Sequence, residues 1–593
     1  GLRTPKTSAT TYALSARRTQ PLSGPWYAPI VNHLGVTGTY IALGNRSEFQ
    51  DGSRRRFNLS GDYFVTLPVA GSGPGGGAER GLAAWMPPWL SASGQAPGRF
   101  NLRPTSFRVT SGLARDNERR ESFLKPASAE DDSGRVARGE SSLWRNASSL
   151  ELQPLRHLTA RADAVVLRDL RDYATATPNG AAANDERGSF LGLDAGFERE
   201  RQLASSMTYA PEVADWVRPR LDLATSFSLL RDPNAPLIAR GARPTVPTPG
   251  AQGSRIPLRL GNTRTITAGA GIDLSKAATR FGGPASLSAR VAHYLQPVDV
   301  SITRGTLSSF DASSGSPGLG YQLGIGSLAG FRSLGGGLAN SAGASSQVAL
   351  SSGLNLPLAV ALTNRLQRTT TRNWARRLET DQTTIDGDQV VFPDLNVRWA
   401  PAGPLFGGLV KSAGVNGRLL HTRQSLLVPA VLLGAAPEER ATRVKTYPLN
   451  ASLTFGPGEV TTTAGYSYRT QVDSLPGSVT NGSSRETSAE VGRTFRVPSD
   501  WSLKSGIRAR LGYQQAQTQS YVQNLFAASR RSRLTDNGRQ AFTLNADTDV
   551  ADNATFSIQG SRIVNFDRNL NRRLTQTVIT AVLQMQFFAG DLR

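Results

Sequence analysis

Four histidines, His33, His157, His293 and His421, are the only imidazoles in the chain, and each stands more than a hundred residues from the next. There is no cysteine. This removes thiolate zinc, iron-sulfur and Cys-nucleophile chemistry, and leaves no local His pair of the H-E-x-x-H kind. Gly71, Gly73 and Gly76 match G-x-G-x-x-G, but a dinucleotide fingerprint needs a strand before it, a helix after it and an acidic residue about twenty positions on. Here Pro87 and Pro88 follow instead. No G-x-x-x-x-G-K-[ST] loop and no G-x-S-x-G elbow occurs. A Ser/His/Asp triad is assembled only in space, so it stays open. The chemistry-bearing residues point away from an enzyme, and the expected complement of cofactors and metals is none.

The abundant ionic group is guanidinium. Lys and Arg total 67 against 45 Asp and Glu, for a formal charge of +22, and only six of the cations are Lys. Clustered cations would suggest phosphate neutralisation on nucleic acid. These are scattered along the chain, with short groups such as Arg54-Arg55-Arg56 and Arg530-Arg531. No basic helix, zinc finger or aromatic RNA-binding strand accompanies them, so nucleic acid is not an expected partner. The plain reading is solvated Arg on loops and polar faces; the runner-up is a surrounding of anionic lipid headgroups or lipopolysaccharide phosphates, which bidentate Arg suits better than Lys.

The elements that must carry these side chains have a period of two. Phe57, Leu59, Gly61, Tyr63 and Val65 alternate with Asn58, Ser60 and Asp62, and Leu158 to Val166 alternates in the same way. So do Leu221 to Leu229, Val460 to Tyr468, Trp501 to Tyr513, Phe542 to Ala546, and Ile579 to Phe587. Alternation is the signature of a strand with two unlike faces. Runs of about ten residues suit a tilted membrane-spanning strand, which needs about 9–11, better than a sandwich strand of about 5–6. No stretch reaches about 18 apolar residues, the length a spanning helix needs; the longest candidate, Leu426 to Ala436, is broken by Pro429. The expected fold is therefore all-β: an antiparallel transmembrane outer-membrane β-barrel, or a large arc of one, with long loops. A barrel with a polar lumen needs only a thin apolar band outside, which fits the hydrophobic content of 38%. Arg108, Arg161, Arg508 and Arg510 sit on the polar side of their runs and are the candidate lumen-facing residues.

Four segments read as long loops: Gly71 to Gln95, Arg115 to Glu140, Asp232 to Arg255 and Ser308 to Ser346. With these set aside, about 20–24 strands fit the chain, the size of a large outer-membrane transporter. No composition shift marks an internal boundary, so residues 1–593 read as one barrel region. The chain starts with Gly1 and lacks a signal-peptide pattern, as a processed protein or a piece of a longer one would.

Prolines recur where alternating runs begin, at Pro104, Pro154, Pro297, Pro357, Pro393 and Pro448. Together with the runs Gly538 to Asp547 and Arg572 to Ala581, they resemble the C-terminal part of the SprA family, the giant outer-membrane barrel of type IX secretion and gliding motility. The resemblance implies the C-terminal portion of a longer chain in the outer membrane of a diderm bacterium. It further implies a protein-conducting translocon for secreted cargo, with a shuttle barrel and a plug protein as partners. A stand-alone porin or uptake barrel for small solutes is the alternative, and a soluble basic β-rich protein a third. The C-terminal part of a larger barrel would leave two sheet edges unpaired, which lipid does not tolerate.

Overall fold

A computed structural model describes residues 4–585 apart from 19, 21, 23–27, 48, 67–103, 123–135, 156, 191, 240–253, 285, 314–315, 379–380, 430–436, 498–504, 527–530 and 552–553. Among the described residues the protein is chiefly one antiparallel sheet of 22 strands, with two small two-stranded sheets beside it. Twenty-one of these are long and follow one another as a meander; the other, Gly188–Phe190, is a three-residue addition beside its successor. The first seven long strands are Lys6–Arg17, Leu34–Arg46, Gln50–Thr66, Pro104–Ser122, Val136–Leu155, Leu158–Asp169 and Leu193–Tyr209. Val217–Arg231, Leu258–Ile272, Val298–Ser313, Ser341–Leu356, Val360–Leu378, Asp381–Trp399 and Val410–Val428 follow. Glu438–Phe455, Thr461–Leu475, Ser478–Phe495, Ile507–Asn524, Arg531–Ala551, Ala554–Asp567 and Arg572–Met585 complete the meander. Among the described residues no helix is long and apolar enough to cross a membrane.

The strands run from 12 to 21 residues, longer than the alternation alone indicated. The excess is polar. In Glu438–Phe455, one face is unbroken apolar only from Tyr447 through Leu449, Ala451 and Leu453 to Phe455, and the preceding positions of that face carry Arg443 and Lys445. The Arg115 to Glu140 segment shows the same effect. Residues 115–122 and 136–140 extend a hairpin, with Arg115 paired to Glu140 across it at 3.3 Å, and Asp116 holds Arg54 and Arg56 of the preceding strand.

Prolines mark strand entries in part. Pro104 opens a strand, Pro297 precedes one, and Pro357 lies in the turn before one. Pro154 instead closes a strand. Pro393 sits inside a strand where the register shifts between Val391 and Asp394, and Pro448 sits inside another, opposite a gap in the ladder between Gly417 and Leu420. A ring without an N–H is tolerated where the ladder is already interrupted.

Two buried clusters lie at the end of the sheet reached by residues 313 and 341. In one, Ala182, Ala183, Phe197, Leu237 and Ile256 bring the connections after Asp169 and Arg231 together. Asp169 is fully buried there, holding Arg171 at 2.8 Å and accepting the Tyr173 hydroxyl at 2.9 Å. In the other, residues 317–338 fold into two short helices, Leu319–Gln322 and Leu328–Arg332, and a small hairpin. This segment, expected as a Gly/Ser-rich loop, packs Tyr321 and Phe331 against Phe227, Phe310 and Trp374. The loop expectations at Gly71 to Gln95, and the terminal Phe587-Phe588 pair, lie outside the described residues.

Candidate functional site

Because paired residues in a sheet share a face, the register sorts the molecule into two surfaces. On one, a continuous row runs across twelve strands: Thr159, Thr208, Asp222, Thr267, Thr303, Gln347, Thr369, Gln389, Gln424, Thr442, Asp473 and Thr480. Every member is a hydroxyl, an amide or a carboxylate. Neighbours bond along the row: Thr208 Oγ1 donates to Asp222 at 2.9 Å, the Thr267 and Thr303 hydroxyls lie 3.1 Å apart, and Thr442 Oγ1 donates to Asp473 at 2.8 Å.

The opposite surface carries rows such as Leu453, Thr462, Val491, Leu511, Leu544, Gly560 and Ile579. Its large apolar side chains are left uncovered; Leu511 is 58% and Ile579 77% exposed. An apolar surface of this size on one side of a sheet marks contact with a nonaqueous partner. Residues 317–338 pack on this apolar surface and not, as a lumenal constriction would, on the polar one: they cover Phe227 and Phe310, which share its alternation.

All four arginines expected to face a lumen lie on the polar surface. Arg108 pairs with Ser149, which pairs with Asp163, and Arg161 pairs with Ser206 on the same side. Arg508 pairs with Asp547 and Arg510 with Asn545. The structure does not collect them into one site: Arg108 and Arg161 belong to strands near one edge, Arg508 and Arg510 to strands near the other. Three are neutralised locally. Arg108 donates to Asp62 at 2.9 Å, Arg161 to Asp163 at 2.9 Å and Arg508 to Asp547 at 2.6 Å, whereas Arg510 has no acidic partner among the described residues. Arg418 and Asp394, at 2.7 Å, add a further pair on this face. The cause is sheet geometry: a carboxylate directly opposite, diagonal, or two residues along is within reach of a guanidinium. The surface is therefore polar, with part of its positive charge neutralised by local pairs and part, as at Arg510, not.

The Thr, Gln and Ser rows were the residues that spacing alone could not single out. Each is unremarkable in its own strand, and only the register joins them. Among the described residues there is no group of three or more His, Cys, Asp or Glu able to hold a metal ion.

No family model and no curated protein matches the chain. Among solved structures it is similar to a mutant of the ferric enterobactin receptor PfeA from Pseudomonas aeruginosa, with 10% identity over 91% of this chain and 75% of that one, at a TM-score of 0.24. It is also similar to a chain of the FpvAI–pyocin S2 complex, with 7% identity over 97% and 72% and a TM-score of 0.16. Superposition at this level is loose, and the fold assignment rests on the strand register itself.

Proposed function

We propose that the protein is the wall of an aqueous pore in a bacterial outer membrane, passing small polar solutes across it. The observation that carries this reading is the uninterrupted polar row over twelve strands, backed by an uncovered apolar surface on the other side of the same strands. In hydrocarbon the backbone polar groups must be paired between strands, and an antiparallel sheet with one apolar and one polar face meets that demand while solvating a channel. The arginines of the polar face that have no carboxylate partner among the described residues, Arg398, Arg510 and Arg539, give the lumen a positive field, so anions should pass more readily than cations. Reconstitution of the purified protein in planar bilayers tests this: steady single-channel conductance with some anion preference is expected, and no conductance at any voltage would refute it.

A second reading, an arc of a larger secretion translocon, is favoured by one feature. The first and last strands, Lys6–Arg17 and Arg572–Met585, are exposed along their whole length and do not pair with each other among the described residues. Twenty antiparallel steps between twenty-one strands also leave these two strands running the same way, whereas bacterial single-chain barrels close with even numbers. On this reading secreted protein is the cargo, and a shuttle barrel and a plug are partners. An antibody to Leu574 to Met585, used on outer-membrane fractions, separates the two: a band several times 63.3 kDa supports the translocon, and a band at 63.3 kDa the solute pore.

A further inference from the structure

The apolar surface changes character abruptly along its strands. In Glu438–Phe455 the nine residues from Tyr447 to Phe455 present only apolar or aromatic groups to this side, about the length that one tilted span of hydrocarbon requires. Immediately beyond them stand Lys445 and Arg443. On the neighbouring strand His421 and Arg423 occupy the matching positions, His421 opposite Lys445 and Arg423 opposite Arg443. Two strands further along the same row is Arg368, reached through Val390.

Like charges placed directly opposite each other destabilise an antiparallel pair. Relief from carboxylates is absent for these groups: among the described residues Arg423, Arg443 and Lys445 have no acidic partner, and neither does Arg304 one row higher. The nearby acids are otherwise engaged, Asp388 with Arg368 at 3.0 Å and Asp386 with Arg372 at 2.7 Å; Glu439 lies two rows above Arg443, at the far edge of the patch. The Nε2 atom of His421 is buried without a hydrogen-bond partner. Below the cations, Tyr447 stacks on Tyr468 with centroids 6.2 Å apart, and Arg485 lies over Tyr466 at 5.3 Å. Above and beside them opens a cavity of about 850 Å³, whose wall includes Arg304, Thr306, Thr370 and Ser425 under Leu328; the Thr306 hydroxyl is buried and unbonded.

We propose that this patch binds the phosphorylated sugar headgroup of an outer-leaflet glycolipid, of the lipopolysaccharide type. A phosphate between Arg423 and Arg443 would turn their repulsion into two bidentate contacts. The adjoining cavity supplies room and hydroxyls for sugar rings, and the span from Tyr447 to Phe455 receives the acyl chains. The patch lies toward the end of the sheet where residues 317–338 form a packed cap. The proposal rests on the apolar surface meeting lipid and is independent of what the pore passes.

The test uses the full chain in detergent, with thermal unfolding followed as purified bis-phosphorylated lipid A, phosphatidylglycerol or phosphatidylcholine is titrated in. Lipid A should stabilise the protein at the lowest concentration. The double variant Arg423→Gln/Arg443→Gln should need more than tenfold more lipid A, at roughly a fivefold loss for each cation removed near a lipid surface. Without lipid it should melt no lower than the parent, since a repulsion has been removed; this shows that the variant folds. The charge-matched double variant Arg398→Gln/Arg539→Gln, on the polar surface, should bind as the parent does. Equal binding by the Arg423/Arg443 variant, an equal loss in the Arg398/Arg539 variant, or equal stabilisation by phosphatidylglycerol would each overturn the proposal. Conductance is read separately, so failure here leaves the pore reading standing.

Discussion

Thr543 and Leu544 are consecutive residues of Arg531–Ala551, and both are exposed. Thr543 lies in the row Gly512, Thr543, Ser561, and Leu544 in the row Leu511, Leu544, Gly560. If the two surfaces meet different media, a guanidinium should be tolerated at one position and not at its neighbour. Leu544 sits within the apolar stretch of its strand and is 49% exposed, so Leu544→Arg neither opens a cavity nor meets a packed wall. Its cost is transfer of charge into hydrocarbon, about 2–4 kcal/mol near the midplane. At about 1.4 kcal/mol per tenfold, the folding equilibrium should fall by roughly 30- to 700-fold. Thr543→Arg should cost less than about 1 kcal/mol, because a lumenal charge stays in water. Urea unfolding in lipid vesicles, followed by tryptophan fluorescence, measures both. Comparable losses in the two variants, or a larger loss at Thr543, would refute the assignment of the surfaces and with it the pore.

Asp169→Ala removes the buried carboxylate that holds Arg171 and Tyr173 and should destabilise the cluster around Phe197 and Ala183 by about 3–5 kcal/mol, seen as early proteolysis between residues 170 and 190. Tyr321→Phe keeps the ring against Phe227 and Phe310 but leaves the Ser308 hydroxyl without its 2.7 Å partner; a loss of about 1 kcal/mol is expected in denaturant unfolding, and a loss above 3 would mean that the ring had moved. Asp273 caps the Leu274–Gly282 helix through the amides of Ser275 and Lys276, and Asp273→Ala should cost about 1 kcal/mol. The Ser275 hydroxyl, with those amides and Lys276, holds the Asp273 carboxyl below its ordinary value. The cap's contribution is therefore complete above the ordinary carboxylate range and is lost as the pH falls through the lower folded value. Proteolysis of residues 274–292 should accelerate on acidification in the parent and not in Asp273→Ala.

The sequence by itself determined the class of the molecule. A period of two is local, since each residue's side follows from its neighbours, so the strands containing Phe57, Leu158, Leu221 and Thr462 and the polar side of Arg108, Arg161, Arg508 and Arg510 were legible without any contact between distant residues. Charged stretches misled, because composition near Arg115 to Glu140 reads as loop while the cross-strand pairs that make it a hairpin involve residues far apart in the chain. Ser308 to Ser346 misled for the matching reason: its Gly and Ser content is loop-like, but Tyr321 and Phe331 find a cover only on the assembled sheet. What only the tertiary structure decided is which residues share a row. A shift of one residue in register exchanges the two faces of a strand, so the alignment of Thr267 with Thr303 and Gln347, and of Arg423 with Arg443, is a property of the paired strands. Cations scattered along the chain become a cluster because strand pairing brings together residues that lie far apart in sequence.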